Sequence, residues 1–125
     1  MASPDDRRYL QTHEWHKLEG NIVTIGISKF AVDELTDLTF VEITQTEGQV
    51  NAGGALGEIE SVKATSDVYT GVSGTVVEVN QRAMDDPSLV NRDPYEAGWL
   101  VKIEADDTSQ LDGLMSAEQY DHAIA

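Results

Sequence analysis

Gly57-Glu58-Ile59-Glu60-Ser61-Val62-Lys63-Ala64-Thr65-Ser66-Asp67-Val68-Tyr69 is the stretch on which the reading of this chain turns. From Ala55 to Ser61, small or apolar residues alternate with others, the period-two pattern of a strand. From Val72 to Val79 runs a second, β-branched segment interrupted by Gly74, which also predicts a strand. Between them lies a short polar link with Lys63 close to its tip. A lysine at the tip of a β-hairpin carries its amine into solvent, away from its own core. That geometry suits an amine that a second enzyme must reach and modify.

Outward from the hairpin, the chain alternates strands with short helical pieces. Asn21 to Ile27 is rich in β-branched residues and predicts a strand. Ser28 stands as the N-cap of a short helix whose apolar side is Phe30, Ala31, Val32 and Leu35, with Asp33, Glu34 and Asp37 facing water. Thr39 to Thr44 sets Phe40 and Glu42 against Val41 and Ile43, a further strand. Gly48 and Asn51-Ala52-Gly53-Gly54 turn the chain into the lysine hairpin. Gln81 to Asn91 reads as a loop with a helical turn near Pro87-Ser88-Leu89-Val90, and Trp99 to Ala105 as the last strand. Leu111, Leu114 and Met115 lead into a C-terminal helix, where Ser116 and Gln119 have capping-box spacing and Tyr120 and Ile124 lie one turn apart. Residues 1–8 are polar and charged and are expected to fray. Short strands with glycine-rich turns and two helical pieces predict one mainly β domain over 1–125, a sandwich or flattened barrel with no linker to a second domain.

The formal net charge is −15 on 125 residues, which argues against nucleic acid or an anionic membrane surface as partner. It favours solubility, or a partner with a basic docking face. Cysteine is absent, which removes disulfides, thiolate metal sites and a cysteine nucleophile. No apolar run approaches the ~20 residues of a membrane span. Met1-Ala2-Ser3-Pro4-Asp5-Asp6 has no signal-peptide h-region and is not the arginine-rich, acid-poor type of transit peptide, so a cytoplasmic protein is the simplest expectation.

Catalytic motifs fail in turn. His13-Glu14-Trp15-His16 is one residue short of H-E-x-x-H, and in a strand its histidines point to opposite faces, so no metal site is expected. Trp15 reads as a core or rim aromatic. Gly53-Gly54-Ala55-Leu56-Gly57 lacks the spacing of a nucleotide loop, and Gly71-Val72-Ser73-Gly74 lacks that of a nucleophile elbow. With no catalytic set in the chain, any chemistry must come from an attached group.

Glu60-Ser61-Val62-Lys63-Ala64-Thr65-Ser66-Asp67, followed by Val72-Ser73-Gly74 and Val76-Val77-Glu78-Val79-Asn80, resembles the lipoyl-attachment hairpin of the glycine cleavage system H protein family. The resemblance runs from Tyr9 to about Tyr120 through His13-Glu14-Trp15, Thr24-Ile25-Gly26-Ile27, Phe40-Val41-Glu42, Pro94-Tyr95 and Gly98-Trp99. It implies a lipoyl/biotinyl-type barrel-sandwich hybrid of two antiparallel sheets, with short peripheral helices and a C-terminal helix. It implies that Lys63 is joined by an amide to lipoic acid, making an arm on the order of 10–15 Å. Such a carrier takes an aminomethyl group from a pyridoxal-phosphate glycine decarboxylase (P protein) to a tetrahydrofolate-dependent aminomethyltransferase (T protein). Dihydrolipoyl dehydrogenase (L protein) then reoxidises it, and a lipoate ligase or lipoyltransferase attaches the lipoyl group in the first place. The chain is thereby a substrate of other enzymes and not an enzyme. The same resemblance makes Glu14 and Asp67 the carboxylates of a cleft for the loaded arm. The plainer readings are that Glu14 is a surface acid and that Asp67 caps the hairpin turn. Members of the family in eukaryotes are mitochondrial, so a mature mitochondrial chain is the other location the resemblance allows.

Three positions depart from the family's pattern. Gly71 stands where proline is frequent, and Thr36-Asp37-Leu38-Thr39 replaces a turn that more usually holds glycine beside an acid; both are expected to touch only loop rigidity. Glu34 stands where some members carry a histidine that could line the arm's pocket, which bears on how a loaded arm is held. A biotin carrier would flank its lysine with methionines, whereas Val62 and Ala64 stand here. A 2-oxoacid dehydrogenase lipoyl domain would be shorter and followed by a flexible linker. A lipoylated homologue that relays lipoate to other proteins, or an unmodified binding module of the same fold, would share these residues.

Overall fold

In the computed structural model, the described residues, 3–125, form nine strands in two antiparallel sheets. The larger sheet holds β1 (Arg8–Tyr9), β2 (Glu14–Glu19), β3 (Ile22–Ile27), β5 (Gly48–Val50), β8 (Gly74–Val79) and β9 (Val101–Ala105), in the spatial order β1-β2-β3-β9-β8-β5. The smaller holds β4 (Leu38–Ile43), β6 (Ala55–Ser61) and β7 (Thr65–Tyr69), with β6 in the middle. Around them lie α1 (Lys29–Leu35), α2 (Gln81–Asp85), α3 (Ser88–Arg92), a 3₁₀ turn (Thr108–Gly113) and α4 (Ala117–Ile124). This is the mainly β, two-sheet architecture the alternation predicts.

The inward members of each alternating strand make the core. Val23, Ile25 and Ile27 of β3 meet Val41 and Ile43 of β4, Leu56 and Ile59 of β6, and Val101 and Ile103 of β9 in one buried cluster. Burying each such side chain is worth about 1.5–3 kcal/mol. A second cluster of Tyr9, Trp15, Ala117 and Tyr120 fastens α4 to β1 and β2. There the Trp15 indole packs against Gly26, where a Cβ would come to 2.5 Å from the ring. The two predicted helix starts are as expected. Ser28 Oγ accepts the Ala31 N–H, and Ser116 and Gln119 form a complete capping box.

The hairpin itself differs from the expectation. Val72–Val79 is not the second strand of the lysine hairpin; β6 pairs with β7, Glu58 opposite Asp67 and Ile59 opposite Ser66. β8 crosses to the other sheet, where it pairs with β9 and β5. β7 is hidden in the sequence because only Val68 of its five residues is buried, so an edge strand with one apolar anchor reads as a polar link. The polar lead is also more anchored than expected. Ser3 bonds to Asp121, and Arg7 is 6% exposed, with its guanidinium 4.8 Å from the Trp15 ring and its Nη1 donating to the Tyr95 carbonyl. Arginine can stack on an aromatic face and still satisfy its donors, which lysine does poorly. Residues 1 and 2 of that lead lie outside the described residues.

Candidate functional site

Lys63 sits in the three-residue turn between β6 and β7. The turn is tied by one hydroxyl: Ser61 Oγ accepts the backbone N–H of Lys63 at 3.1 Å and of Ala64 at 3.0 Å. The Ser61 N–H closes the pair on the Ala64 carbonyl at 2.8 Å. Lys63 is exposed, and its Nζ donates to the Glu34 carbonyl at 3.3 Å. That carbonyl belongs to the last turn of α1, whose unpaired end carries partial negative charge. The lysine stem therefore leans toward α1 and not away from the molecule.

Beside α1 lies a cavity of about 120 Å³. Ile27, Ala31, Leu35, Ile59 and Val68 give it an apolar wall, and Thr12, His13, Glu14, Ser66 and Asp67 give it polar groups. Glu14 and Asp67, 53 residues apart in sequence, thus line one cavity. Glu14 is not a surface acid: it is 1% exposed, accepts the Tyr69 N–H on Oε2 at 2.8 Å, and accepts the Thr12 hydroxyl on Oε1. Burial pushes its pKa up to about 6, although the Thr12 and Tyr69 hydrogen bonds pull the other way. Asp67 is exposed and does not cap the turn, a role Ser61 fills; its carboxylate accepts the Tyr69 hydroxyl at 3.2 Å. Glu34 is not among the residues that line the cavity, so the departure at this position changes the charge near His13 and not the cavity's lining, while the carbonyl that meets Lys63 is backbone and common to any residue there.

The seam between the two sheets was not legible in the sequence. β7 is the edge of the smaller sheet, so its outer N–H groups need acceptors. Glu14 takes the Tyr69 N–H, and His16, two residues on and hence on the same face of β2, takes the Gly71 N–H on Nε2 at 2.9 Å. Two side chains replace a backbone ladder and close the barrel. His16 is 1% exposed, and burial lowers its pKa to about 4, so it is neutral and accepts. Its proton then rests on Nδ1, which is buried with no partner among the described residues. Gly71 consequently does more than set loop rigidity, because a proline there would lack the N–H that meets His16.

His13 is a further cleft residue that sequence reasoning passed over. It holds a φ of 85°, lines the cavity, and meets the Tyr120 hydroxyl with Nδ1 at 2.7 Å. Burial lowers its pKa, while the charge of Glu34 acts in the opposite direction. No group of three or more His, Asp or Glu among the described residues is placed to hold a metal ion.

With this geometry in view, the comparisons are specific. A family model described as glycine cleavage H-protein matches residues 7–125. The glycine cleavage system H protein of Staphylococcus haemolyticus (strain JCSC1435) is 49% identical over 124 residues, 99% of this chain and 98% of that one. Its counterpart in Staphylococcus epidermidis (strain ATCC 35984 / DSM 28319 / BCRC 17069 / CCUG 31568 / BM 3577 / RP62A) is 48% identical over the same shares. The crystal structure of a glycine cleavage system H protein from Mycobacterium marinum superposes with a TM-score of 0.86 at 38% identity, covering 95% of this chain and 96% of that one.

Proposed function

Because the chain belongs to the glycine cleavage H-protein family, a family of carriers and not of catalysts, we propose that Lys63 bears lipoic acid in amide linkage and that the protein moves an aminomethyl group between enzymes of that system. The observation that supports this most is the placement of Lys63: an exposed amine on a Ser61-tied hairpin, leaning over α1 beside a cavity. When bound, the lipoyl group supplies a dithiolane that accepts the aminomethyl group and is later reoxidised. The cavity suits it, since five apolar side chains match a hydrocarbon stem and two carboxylates match an amine at its end.

The chain's own residues then have definite tasks. Ser61 aims the amine, and the end of α1 receives the stem. Glu14 meets a cationic amine from a dry wall, and Asp67 does so from the open side. At about 4 Å and an effective dielectric near 20, such a pair attracts by roughly 4 kcal/mol before desolvation. About 1–3 kcal/mol survives as a charged hydrogen bond. A cation at this point also draws Glu14 back toward its carboxylate form. Excluding water there protects a labile S–C–N centre. The partners on this reading are glycine decarboxylase, the aminomethyltransferase and dihydrolipoyl dehydrogenase, with a lipoate ligase or lipoyltransferase for attachment. No helix among the described residues is long and apolar enough to cross a membrane. The likeness to bacterial relatives is what supports the cytoplasm as the location on this reading.

The test is intact mass. Protein from its native cell should be heavier by one lipoyl group, and Lys63→Arg should abolish the increment while keeping the positive charge. An unmodified native protein, or a lipoyl group mapped to Lys17, Lys29 or Lys102, would overturn the assignment.

A further inference from the structure

A directed chain of hydrogen bonds runs from α1 to the cleft. Ser28 Oγ is buried, accepts the Ala31 N–H as the cap of α1, and has Tyr120 Oη at 2.6 Å as the acceptor for its own proton. A buried hydroxyl keeps its donor satisfied, so Ser28 donates to Tyr120. Burial pushes the Tyr120 hydroxyl up to about 12, so it keeps its proton and hands it to the remaining neighbour, His13 Nδ1, at 2.7 Å. With Nδ1 accepting, neutral His13 carries its hydrogen on Nε2. Nδ1 makes the only protein hydrogen bond of this ring among the described residues, so Nε2–H is an unspent donor on a residue that lines the cavity.

The ring is also held more firmly than packing alone requires. His13 keeps a left-handed backbone, φ 85°, uncommon outside glycine. Phe30 packs on its ring at 5.1 Å. Tyr120 is itself fixed by a parallel stack on Tyr9, with ring centres 4.6 Å apart. Around it in the cavity, Glu14 and Asp67 present carboxylates, the Thr12 hydroxyl is donated to Glu14, and the Ser66 hydroxyl is donated to the Asp67 carbonyl. The cleft therefore combines two carboxylates with a histidine whose Nε2–H has no protein acceptor among the described residues.

We propose that Tyr120 is a positioning residue for the cleft: it fixes His13 as an Nε2–H donor, and that donor holds the amide carbonyl oxygen of the stored lipoyl-lysine arm. This rests on lipoylation of Lys63, since the amide carbonyl is the oxygen acceptor that such an arm carries. It assigns a function to the C-terminal helix, whose Tyr120 locks the His13 side chain.

The experiment uses ¹⁵N-histidine-labelled full-length protein in unmodified and lipoylated forms. His13 should show an unprotonated Nδ1 and a protonated Nε2 in both, with the Nε2–H signal moving on lipoylation. Tyr120→Phe keeps the stack on Tyr9 and deletes only the hydroxyl. It should mix the His13 tautomers in both forms, and the aminomethyl-loaded protein should release formaldehyde about three- to tenfold faster. Tyr9→Phe removes a hydroxyl that serves the Pro4 carbonyl and should leave both readings unchanged. His13→Asn tolerates a positive φ but has no atom at the Nε2 position; it should show the faster release at an unchanged melting temperature. An unaltered His13 tautomer in Tyr120→Phe, or wild-type retention in His13→Asn, would overturn the proposal. Absence of a lipoyl increment in the mass of native protein would instead overturn the carrier reading, and the tautomer of the unmodified protein would still judge Tyr120.

Discussion

The two ends of β7 are built to opposite rules. At its far end, Tyr69 and Gly71 give their N–H groups to Glu14 and His16, side chains that are each 1% exposed. At its near end, the Lys63 turn is held by the partly exposed Ser61 hydroxyl, and its neighbour Val62 is 74% exposed. Burial decides what each bond is worth. An N–H stranded without an acceptor in a dry seam costs about 1–3 kcal/mol, while the same group at an open turn exchanges its partner for water. The strand that follows Lys63 is thus fixed where it borders the cleft and loose at the turn, where the proposed carrier role needs access. Accuracy and access are separated along five residues.

The largest expected effect comes from breaking the fixed end. His16→Ala removes a fully buried ring and leaves the Gly71 N–H without its acceptor. Denaturant unfolding should show a loss of about 3–5 kcal/mol, with lipoylation at Lys63 retained if enough protein stays folded. His16→Gln restores an acceptor on a longer stem and should recover part of it. A loss below about 1 kcal/mol would mean that the seam is as open as the turn.

The two carboxylates of the cleft extend the contrast at intermediate size. Glu14→Ala strands the Tyr69 N–H and should cost about 1–3 kcal/mol of stability, whereas Asp67→Asn, on an exposed residue, should stay within about 0.5 kcal/mol. Both variants should accelerate release of formaldehyde and ammonia from the loaded protein while lipoylation proceeds normally. Release at the wild-type rate in both would remove these carboxylates from the holding of the arm and leave Lys63 untouched.

What could be read beforehand follows the range of each interaction. The Ser28 cap and the Ser116 capping box reach three residues along the chain, and the alternation of Thr39–Thr44 is local too, so all three were legible. β7 was not, because its outer face bears Thr65, Asp67 and Tyr69 and its inner face a single buried apolar residue. Glu14 and His16 share the inward face of β2, where polar residues contradict the usual alternation, and only their partners at positions 69 and 71 explain them. The His13–Tyr120 contact spans 107 residues and leaves no local trace. Lys63 was visible through its hairpin setting and its resemblance to a family; the cavity beside it was not.

The smallest expected effect is a slope that nearly vanishes. Burial takes His16 from an ordinary value of 6.5 down to about 4, so the unfolded chain binds the proton first. Its contribution to stability is complete above about pH 6.5 and is lost as pH falls toward 4. Burial takes Glu14 from 4.5 up to about 6, so here the folded chain binds the proton first. That contribution is complete below about pH 4.5 and is lost as pH rises through 6. One proton of difference is worth about 1.4 kcal/mol per pH unit, and between pH 4.5 and 6 the two slopes have opposite signs. Together the seam's two groups therefore add almost no pH dependence in that window, and each becomes visible only when the other is removed. Relative to wild type, Glu14→Gln should gain about 1 kcal/mol on going from pH 4.5 to 6, and His16→Ala should lose about 1.5–2 kcal/mol over the same range, because neither group differs by a full proton across the window. Taking differences from wild type cancels the groups that the variants share. Ser61→Ala, at the loose end, removes no titrating group, and its difference from wild type should be flat. Matching signs in the two seam variants, or a slope in Ser61→Ala as steep as theirs, would erase the distinction between the two ends of β7.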